Sequence, residues 1–588
     1  MSIFDWLSML GGLALFLYGM SLMGDGLSKA SGGRLERILE KLTNSPVKAV
    51  LVGAGVTAVI QSSSATTVMV VGFVNSGIMK LGQAVGIIMG ANIGTTVTSW
   101  LLSLTGIDSS SVWVNMLKPS SFSPILAIVG VVFLMFAKKD SHKNIASILI
   151  GFTILMFGMD AMSAAVKPLE NVPEFTGMLT RFSNPILGML AGLVLTAIIQ
   201  SSSASVGILQ ALCVTGAVSY GAAIPIIMGQ NIGTCVTAIL SGIGASKNAK
   251  RAALVHLYFN IIGTILFMVV FYTINVFSPF SFLADSASAV GIAVIHSVFN
   301  VVATLVLLPF SKLLVKLACL TIKEEDMPVV LSEDEKILQL LDVRFLETPS
   351  LAVEQSRHVA EGMAKLAQES MQLAMGLLED YDIEKAARVV TLEAEVDKFE
   401  DRLGSYLLNV TANDLSSTDS HIVNNLLHSI SDFERISDHA RNIKESAEEI
   451  HNKGIRFSDE AEAELSTFRR AISDILGVTI QSFVEEDLQL AEQVEPMEEV
   501  IDGLNLEIRQ RHIKRLREGK CTIELGFVLS DICTNFERVS DHCSNVAVCL
   551  LQEDSDKHDA HAYVSGLKGG ANQIFDNRVE LYRKQYQL

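Results

Sequence analysis

Two runs of amide and hydroxyl side chains, Gln61-Ser62-Ser63-Ser64 and Gln200-Ser201-Ser202-Ser203, interrupt otherwise apolar chain. Near the first stand Thr66, Asn92, Thr95 and Thr96; near the second stand Ser205, Asn231 and Thr234. None of these groups is charged, and no Lys or Arg lies within the motifs. Neutral donors can hold an anion, and hydroxyl and carbonyl oxygens can ligate a small hard cation. An anion held by neutral donors alone in a low-dielectric place is costly. A co-bound cation relieves that cost, so the residue set points to coupled handling of an anion and a cation.

The elements that must position these residues are copies of one another. The stretch from Gly12 to Thr98 recurs without a gap 139 positions later, from Gly151 to Thr237. The same shift carries Met89-Gly-Ala-Asn-Ile-Gly-Thr95 onto Met228-Gly-Gln-Asn-Ile-Gly-Thr234. The copies differ at Thr66/Ser205, Ala91/Gln230 and Thr96/Cys235. Cysteine is a poor ligand for a small hard cation, so a cation site that uses Thr96 need have no twin. A Ser/Thr run in a membrane helix is usually packing glue. Two such runs, equally spaced from two Asn-Ile-Gly-Thr motifs, favour a site instead. Gly86, Gly90 and Gly94 form a small-residue stripe that close helix packing explains.

Seven apolar stretches approach the length needed to cross about 30 Å of hydrocarbon. They run roughly over 6–23, 84–105, 122–137, 145–163, 222–243, 252–275 and 288–312. Two more, 49–78 and 187–218, are broken by the QSSS runs. Polar breaks at membrane depth are tolerated where backbone is buried in protein or lines a wet cavity, so these two read as re-entrant hairpins. Broken helices leave free N–H groups at one half-end and free C=O groups at the other, suited to anions and hard cations respectively. Lys and Arg concentrate in the 25–48, 138–144 and 244–251 loops, with few in 106–121 and 163–184 and none in 276–287. The positive-inside rule then puts the first three loops and the C-terminal half in the cytoplasm. The copies are therefore expected to be inverted, with hairpins entering from opposite faces.

The composition splits the chain at the end of the apolar part. Residues 1–310 hold 15 Lys+Arg and 10 Asp+Glu, whereas 311–588 hold 30 and 53. A net charge near −23 over the second part argues against nucleic acid as a partner. Seven cysteines without a CxxC spacing argue against a disulfide framework. The first ten residues lack a basic region of the kind a cleavable signal carries, so the first apolar segment is expected to be retained.

Beyond a linker over 313–349, amphipathic periodicity predicts helices at roughly 350–379, 382–410, 418–452, 459–484, 486–518 and 521–553, with a short helix and tail over 554–588. These form two three-helix units. Glu434-Arg-Ile-Ser-Asp438-His-Ala-Arg-Asn442 recurs as Glu537-Arg-Val-Ser-Asp541-His-Cys-Ser-Asn545. A second pair precedes each, Glu393/Asp397 and Glu498/Asp502. Carboxylates at i, i+4 share a helix face, and two such helices together would offer an oxygen-rich cluster for a divalent metal. Arg435 and Arg538 are the local cations that could instead offset the repulsion.

The paired QSSS motifs, the inverted halves and the elements His256-Leu-Tyr-Phe-Asn260 and His296-Ser-Val-Phe-Asn300 resemble the sodium/phosphate cotransporter family, the type II group and its bacterial relatives. The likeness covers residues 1–310, the transport domain being drawn over 1–312. It implies phosphate as substrate, sodium as coupling ion, and a site lined by Gln61 through Ser64 and Gln200 through Ser203, with Asn92, Thr95, Asn231 and Thr234 nearby. Residues 350–553 resemble the phosphate-uptake regulator (PhoU) domain. That likeness implies metal ligands at Glu393, Asp397, Glu434, Asp438, Glu498, Asp502, Glu537 and Asp541, with Asn442 and Asn545 as lesser candidates and His439 and His542 as packing residues or supports behind the ligands. The expectation is an all-α, multi-pass inner-membrane protein without enzyme activity: a sodium-coupled phosphate transporter with a cytosolic regulatory bundle. Its partners would be phosphate, sodium and the lipid bilayer, with a second copy or a phosphate-signalling protein in addition. The rivals are a phosphate exporter and a membrane-anchored phosphate sensor that moves nothing.

Overall fold

The computed structural model describes residues 3–31, 45–106, 119–137, 139–172, 177, 181–323, 332–552 and 573–588. The basic residues Arg34, Arg37, Lys41, Lys118 and Lys138, part of the linker and most of the 554–588 tail lie outside them. The described elements are helical, with one isolated β-bridge between Ser219 and Ser286. The chain divides into two units, the first formed by Met1–Val330 with Asp342–Leu351, the second by Leu331–Leu341 with Ala352–Leu588.

In the first unit, α1 (Ile3–Ser31) pairs with its own repeat counterpart, α6 (Asp140–Val166). A Cβ on Gly12 would meet the Gly158 carbonyl at 3.0 Å, and one on Gly158 the Gly12 carbonyl at 2.7 Å. Gly19 and Gly151 exchange the same contact, at 2.7 and 2.9 Å. The shift of 139 turns Gly12 into Gly151 and Gly19 into Gly158. The two helices therefore run antiparallel about a pseudo-two-fold axis, and the copies are inverted. Backbones this close leave no room for a side chain, which fixes glycine at these positions.

The broken segments are hairpins. Ser45 and Pro46 open α2 (Pro46–Ile60), as Asn184 and Pro185 open α7 (Pro185–Ile199), each with a capping side chain and Pro at N1. The breaks then start α3 (Ser63–Asn75) and α8 (Ser202–Cys213). The next helices, α4 (Leu81–Ser103) and α9 (Tyr220–Ser241), begin beside the starts of α2 and α7. Gly86 faces Ala49 and the Pro46 carbonyl, and Gly188 faces Pro225. Since α4 runs parallel to α2, the intervening α3 must carry the chain back, and α8 does the same in the second copy. Each arm, at ~1.5 Å per residue, is too short to cross a bilayer alone. The glycine stripe at 86, 90 and 94 is helix packing, as expected: Gly90 faces Val50 and Gly94 faces Ala54 and Thr57.

The unit continues with α5 (Pro119–Phe136), α10 (Lys247–Phe277), α11 (Ala289–Leu307) and α12 (Ser311–Thr321). Among the described residues, six helices are long and apolar enough to span a membrane. The stretch expected at 122–137 is the 18-residue α5 with Pro124 inside it, and is the shorter apolar helix among the seven. Lipid-facing side chains such as Leu51, Ile198, Val276 and Phe277 are more than two-thirds exposed, which a bilayer explains and water does not. The chain is a multi-pass membrane protein.

The second unit is helical throughout its described residues: α13 (Glu333–Leu338), α14 (Pro349–Leu377), α15 (Ile383–Thr411), α16 (Ser417–Lys453), α17 (Asp459–Glu485), the single-turn α18 (Leu488–Ala491), α19 (Val494–Arg517), α20 (Ile523–Gln552) and α21 (Gln573–Gln585). Five of the six long helices fall within a few residues of the periodicity expected; the one expected over 486–518 begins instead at Val494, after the separate turn α18. Phe399, Phe433, Phe468 and Phe536 are fully buried in its core.

The 313–349 linker is more structured than its charge and prolines suggest. Its start extends the last membrane helix through Thr321, α13 belongs to the second unit, and 342–351 folds against the first. The physical reason is Phe345, which is 0% exposed, its ring 5.4 Å from that of Phe73.

Candidate functional site

The two breaks are built identically. Gln61 and Gln200 take left-handed backbone, φ 61° and 58°, and end α2 and α7. Ser62 and Ser201 then cap α3 and α8, their hydroxyls accepting from the N–H of Ala65 and Ala204 at 3.1 and 3.2 Å. The N–H groups of Ser63 and Ser64, and of Ser202 and Ser203, stand in the first turn, where no partner exists within the helix. A hydroxyl pair clips each hairpin, Thr57 to Thr66 at 3.1 Å and Thr196 to Ser205 at 2.8 Å.

The tips meet. One cavity of about 320 Å³ is walled by Gln61 through Ala65, Gln200 through Ser203, Ser21, Asp25 and Ser28 of α1, and Glu347 and Thr348. All eight QSSS residues therefore line a common space. Two helix N-termini from opposite copies converge there, each with a partial positive charge.

The remaining candidates stand behind that wall. Thr66 also bonds the Ser62 carbonyl at 3.0 Å, and Ser205 serves the second clip. Asn92 and Asn231 donate to the carbonyls four residues back at 3.1 Å, and Thr95 and Thr234 do so at 3.1 and 3.0 Å. Thr96 bonds the Ile93 carbonyl at 2.7 Å, whereas its counterpart Cys235 bonds the Asn231 and His256 carbonyls at 3.7 and 3.5 Å. These groups brace the site and do not enter the cavity wall. The two His-x-x-Phe-Asn elements are buried helix–helix contacts: His296 bonds Ser99 at 2.8 Å, and Asn260 donates to Cys235 at 3.3 Å.

The copies are not in the same state. Gln61 is 8% exposed and accepts from Thr98 at 2.7 Å. Gln200 is exposed, and Thr237, which stands where the first copy has Thr98, offers it no such bond.

Sequence reasoning missed the acidic part of the wall. Asp25 lies outside the QSSS motifs, and Glu347 falls in the stretch read as linker. The apolar Phe345-Leu346, set among the charged residues Asp342, Arg344 and Glu347, was the available signal.

In the second unit the expected carboxylates divide. Glu498, Asp502 and Asp541 place ligand oxygens within 4.8 Å of one another. Glu537 is not in that group. Burial and the neighbouring Glu537 hold the Asp541 carboxyl above its ordinary range, against the pull of Arg538 at 3.2 Å. Glu393 is instead engaged by Arg441 at 2.8 Å. Glu434 and Asp438 lie 3.5 and 3.8 Å from Arg435. Burial, with Asp438 beside it, raises the Glu434 carboxyl. Asp397 has Glu400 and Asp401 close by on the same helix. Among the described residues the first copy therefore offers no converged triad, and its charges are partly met by arginine.

His439 and His542 are packing residues, their rings stacked 5.6 Å apart. Each repeat grips the other through them: His439 and Asn442 bond Asn535 at 2.8 and 3.1 Å, and His542 and Asn545 bond Asp432 at the same distances.

Inverted copies, re-entrant hairpins and a cavity shared by both tips define a multi-pass membrane protein of the transporter class. The particular family follows from comparison with known proteins. The Na+/Pi-cotransporter family model matches residues 15–164 and 169–297, and the PhoU domain model matches 360–447 and 465–550. The chain belongs to the Na+/Pi-cotransporter family and carries a PhoU domain. It is 24% identical over 571 residues to YjbB of Salmonella typhimurium, provisionally named an inorganic phosphate export protein, covering 95% of this chain and 99% of that one. It is 30% identical over 255 residues to the uncharacterised protein YqeW of Bacillus subtilis, 43% of this chain and 78% of that one. Among solved structures, PhoU from Pseudomonas aeruginosa aligns at 19% identity and a TM-score of 0.33, covering 34% of this chain and 95% of that one.

Proposed function

We propose that the chain is a sodium-coupled phosphate transporter of the bacterial inner membrane whose PhoU-like unit faces the cytosol and regulates it. The observation that carries this reading is the meeting of both QSSS tips on one cavity. Four neutral hydroxyl-and-amide groups from each copy surround it, with two helix N-termini behind them. Such donors suit a tetrahedral oxyanion. The C-terminal carbonyls of α2 and α7, at the same breaks, suit sodium. No chemical reaction is assigned to the chain.

Radiolabelled phosphate flux in proteoliposomes, with and without a sodium gradient, tests the reading. Flux that follows the gradient is expected, and flux indifferent to sodium would remove the coupling. The name of YjbB favours a second reading, net export, and reversing the gradient in the same vesicles distinguishes it. A protein that binds phosphate yet moves none would be the sensor.

The triad Glu498, Asp502 and Asp541 fits a divalent metal by its donor set of hard oxygens. Bound there, a metal would neutralise the mutual repulsion of these carboxylates and lock α19 to α20.

A further inference from the structure

Residues 342–348 lie between the two family-matched regions, which end at 297 and begin at 360, so neither family accounts for them. They are fastened to the first unit at three points. Asp342, 5% exposed, accepts from Asn75 at 2.6 Å, and Asn75 sits at the end of α3, the returning arm of the first hairpin. Arg344 clasps both Asp342 oxygens at 2.8 and 2.7 Å and donates from Nε to the Ser241 carbonyl at the end of α9, 2.7 Å away. Phe345 fills the notch left by Gly72, where a Cβ would come within 2.6 Å of its ring. Two residues on, Glu347 and Thr348 enter the wall of the cavity that the QSSS tips line.

A carboxylate is a poor neighbour for an oxyanion. Every polar side chain that the hairpins bring to the cavity is neutral; α1 brings Asp25, and Glu347 adds a second carboxylate from the 342–348 segment. The fastenings reach α3 and α9, one element from each copy, so a relative movement of the copies must break or remake them. Both ends of the segment continue into the second unit, at Leu341 and at Ala352.

We propose that residues 342–348 are a strap that shuts the phosphate cavity on this side, with Glu347 as an anion-repelling stopper, and that its release admits phosphate. The proposal deepens the transport reading, on which it rests, by naming the gate and the segment through which the regulatory unit would act on it.

The test uses the full-length chain in proteoliposomes. Arg344→Ala, which removes one fastening, and Glu347→Gln, which removes the strap's share of the repulsion, are each expected to raise initial phosphate flux at least threefold at low phosphate. A properly folded variant with unchanged or lower flux would overturn the strap, because a mere brace gains nothing by loosening. In the converse experiment, cysteines at Asn75 and Asp342 are joined by a short bifunctional methanethiosulfonate. Flux should fall at least tenfold and return on reduction; flux indifferent to the cross-link would also overturn the proposal. A readout independent of transport keeps the two readings apart. Cysteine at Ser64 should react with an impermeant methanethiosulfonate several times faster when Arg344→Ala is present, with the parent chain as the blank. Faster labelling, alongside a chain with Ser64 intact that moves no phosphate, would sink transport and keep the strap; equal labelling rates would sink the strap alone.

Discussion

Gln61 and Gln200 occupy equivalent, strained positions, and the strain is part of the argument about what they do. Only three non-glycine residues among those described have positive φ, and these are two of them. Left-handed backbone costs a residue with a Cβ about 1 kcal/mol relative to glycine, so glycine would be the easier choice for a turn alone. Glutamine at both breaks therefore points to the amide, which Gln61 uses to accept from the buried Thr98 hydroxyl. The substitution Gln61→Gly should relax the backbone and yet reduce phosphate flux tenfold or more, with the thermal midpoint of the detergent-purified protein within a few degrees of the parent. Undiminished flux would mean that the run is packing glue. The QSSS runs were legible because polarity in apolar chain is conspicuous. The difference between Gln61 and Gln200 was not, because the same QSSS run cannot report which glutamine is buried. Glu347 was hidden for another reason: a lone carboxylate in a charged, proline-flanked linker has no pattern to distinguish it.

Helices were the most legible layer of this molecule, and their meeting places were partly so. Amphipathic periodicity placed the six long helices of the second unit, since a soluble bundle must bury one face of each. In the membrane unit the apolar runs gave the spans, while glycine marked close contact at some positions and not at their neighbours. Gly12 against Gly158 is such a contact, whereas a Cβ on Gly11, one residue away, would meet nothing within 4 Å. Gly12→Leu is thus expected to destabilise the first unit by about 1–3 kcal/mol through overpacking, and Gly11→Leu should leave its thermal midpoint unchanged. Equal effects would mean that α1 and α6 do not meet at the glycines. The corresponding contact in the second unit is ionic and was not foreseen. Arg515 clasps Glu464 with two bonds of 2.7 Å, both side chains nearly buried. Nothing in their spacing, on helices far apart in sequence, joins them. Arg515→Ala leaves a buried carboxylate short of its main partner, at a cost of about 3 kcal/mol. Adding Glu464→Gln should recover part of that loss in a double-mutant cycle on thermal unfolding, and strict additivity would count against the pair.

On the scale of the whole chain, two units with separate cores should unfold in separate calorimetric transitions. Gly12→Leu and Arg515→Ala identify them, since each is expected to lower one midpoint and spare the other. That assignment makes the metal question answerable without removing any part of the protein. A divalent ion that binds the folded triad of Glu498, Asp502 and Asp541 stabilises only the unit that holds it. At one hundred times its dissociation constant the gain is about 2.7 kcal/mol. Manganese(II) or zinc(II) added to the metal-stripped chain should therefore raise the second transition by several degrees and leave the first in place. Glu498→Gln should abolish the rise, because Glu498 is the most buried of the three ligands and its charge is the hardest to replace from solvent. Glu393→Gln should preserve the rise, since that carboxylate already answers Arg441 and stands outside the triad. A shift that survives Glu498→Gln, or one that disappears with Glu393→Gln, would move the metal to the first copy of the motif and leave the converged triad without a ligand.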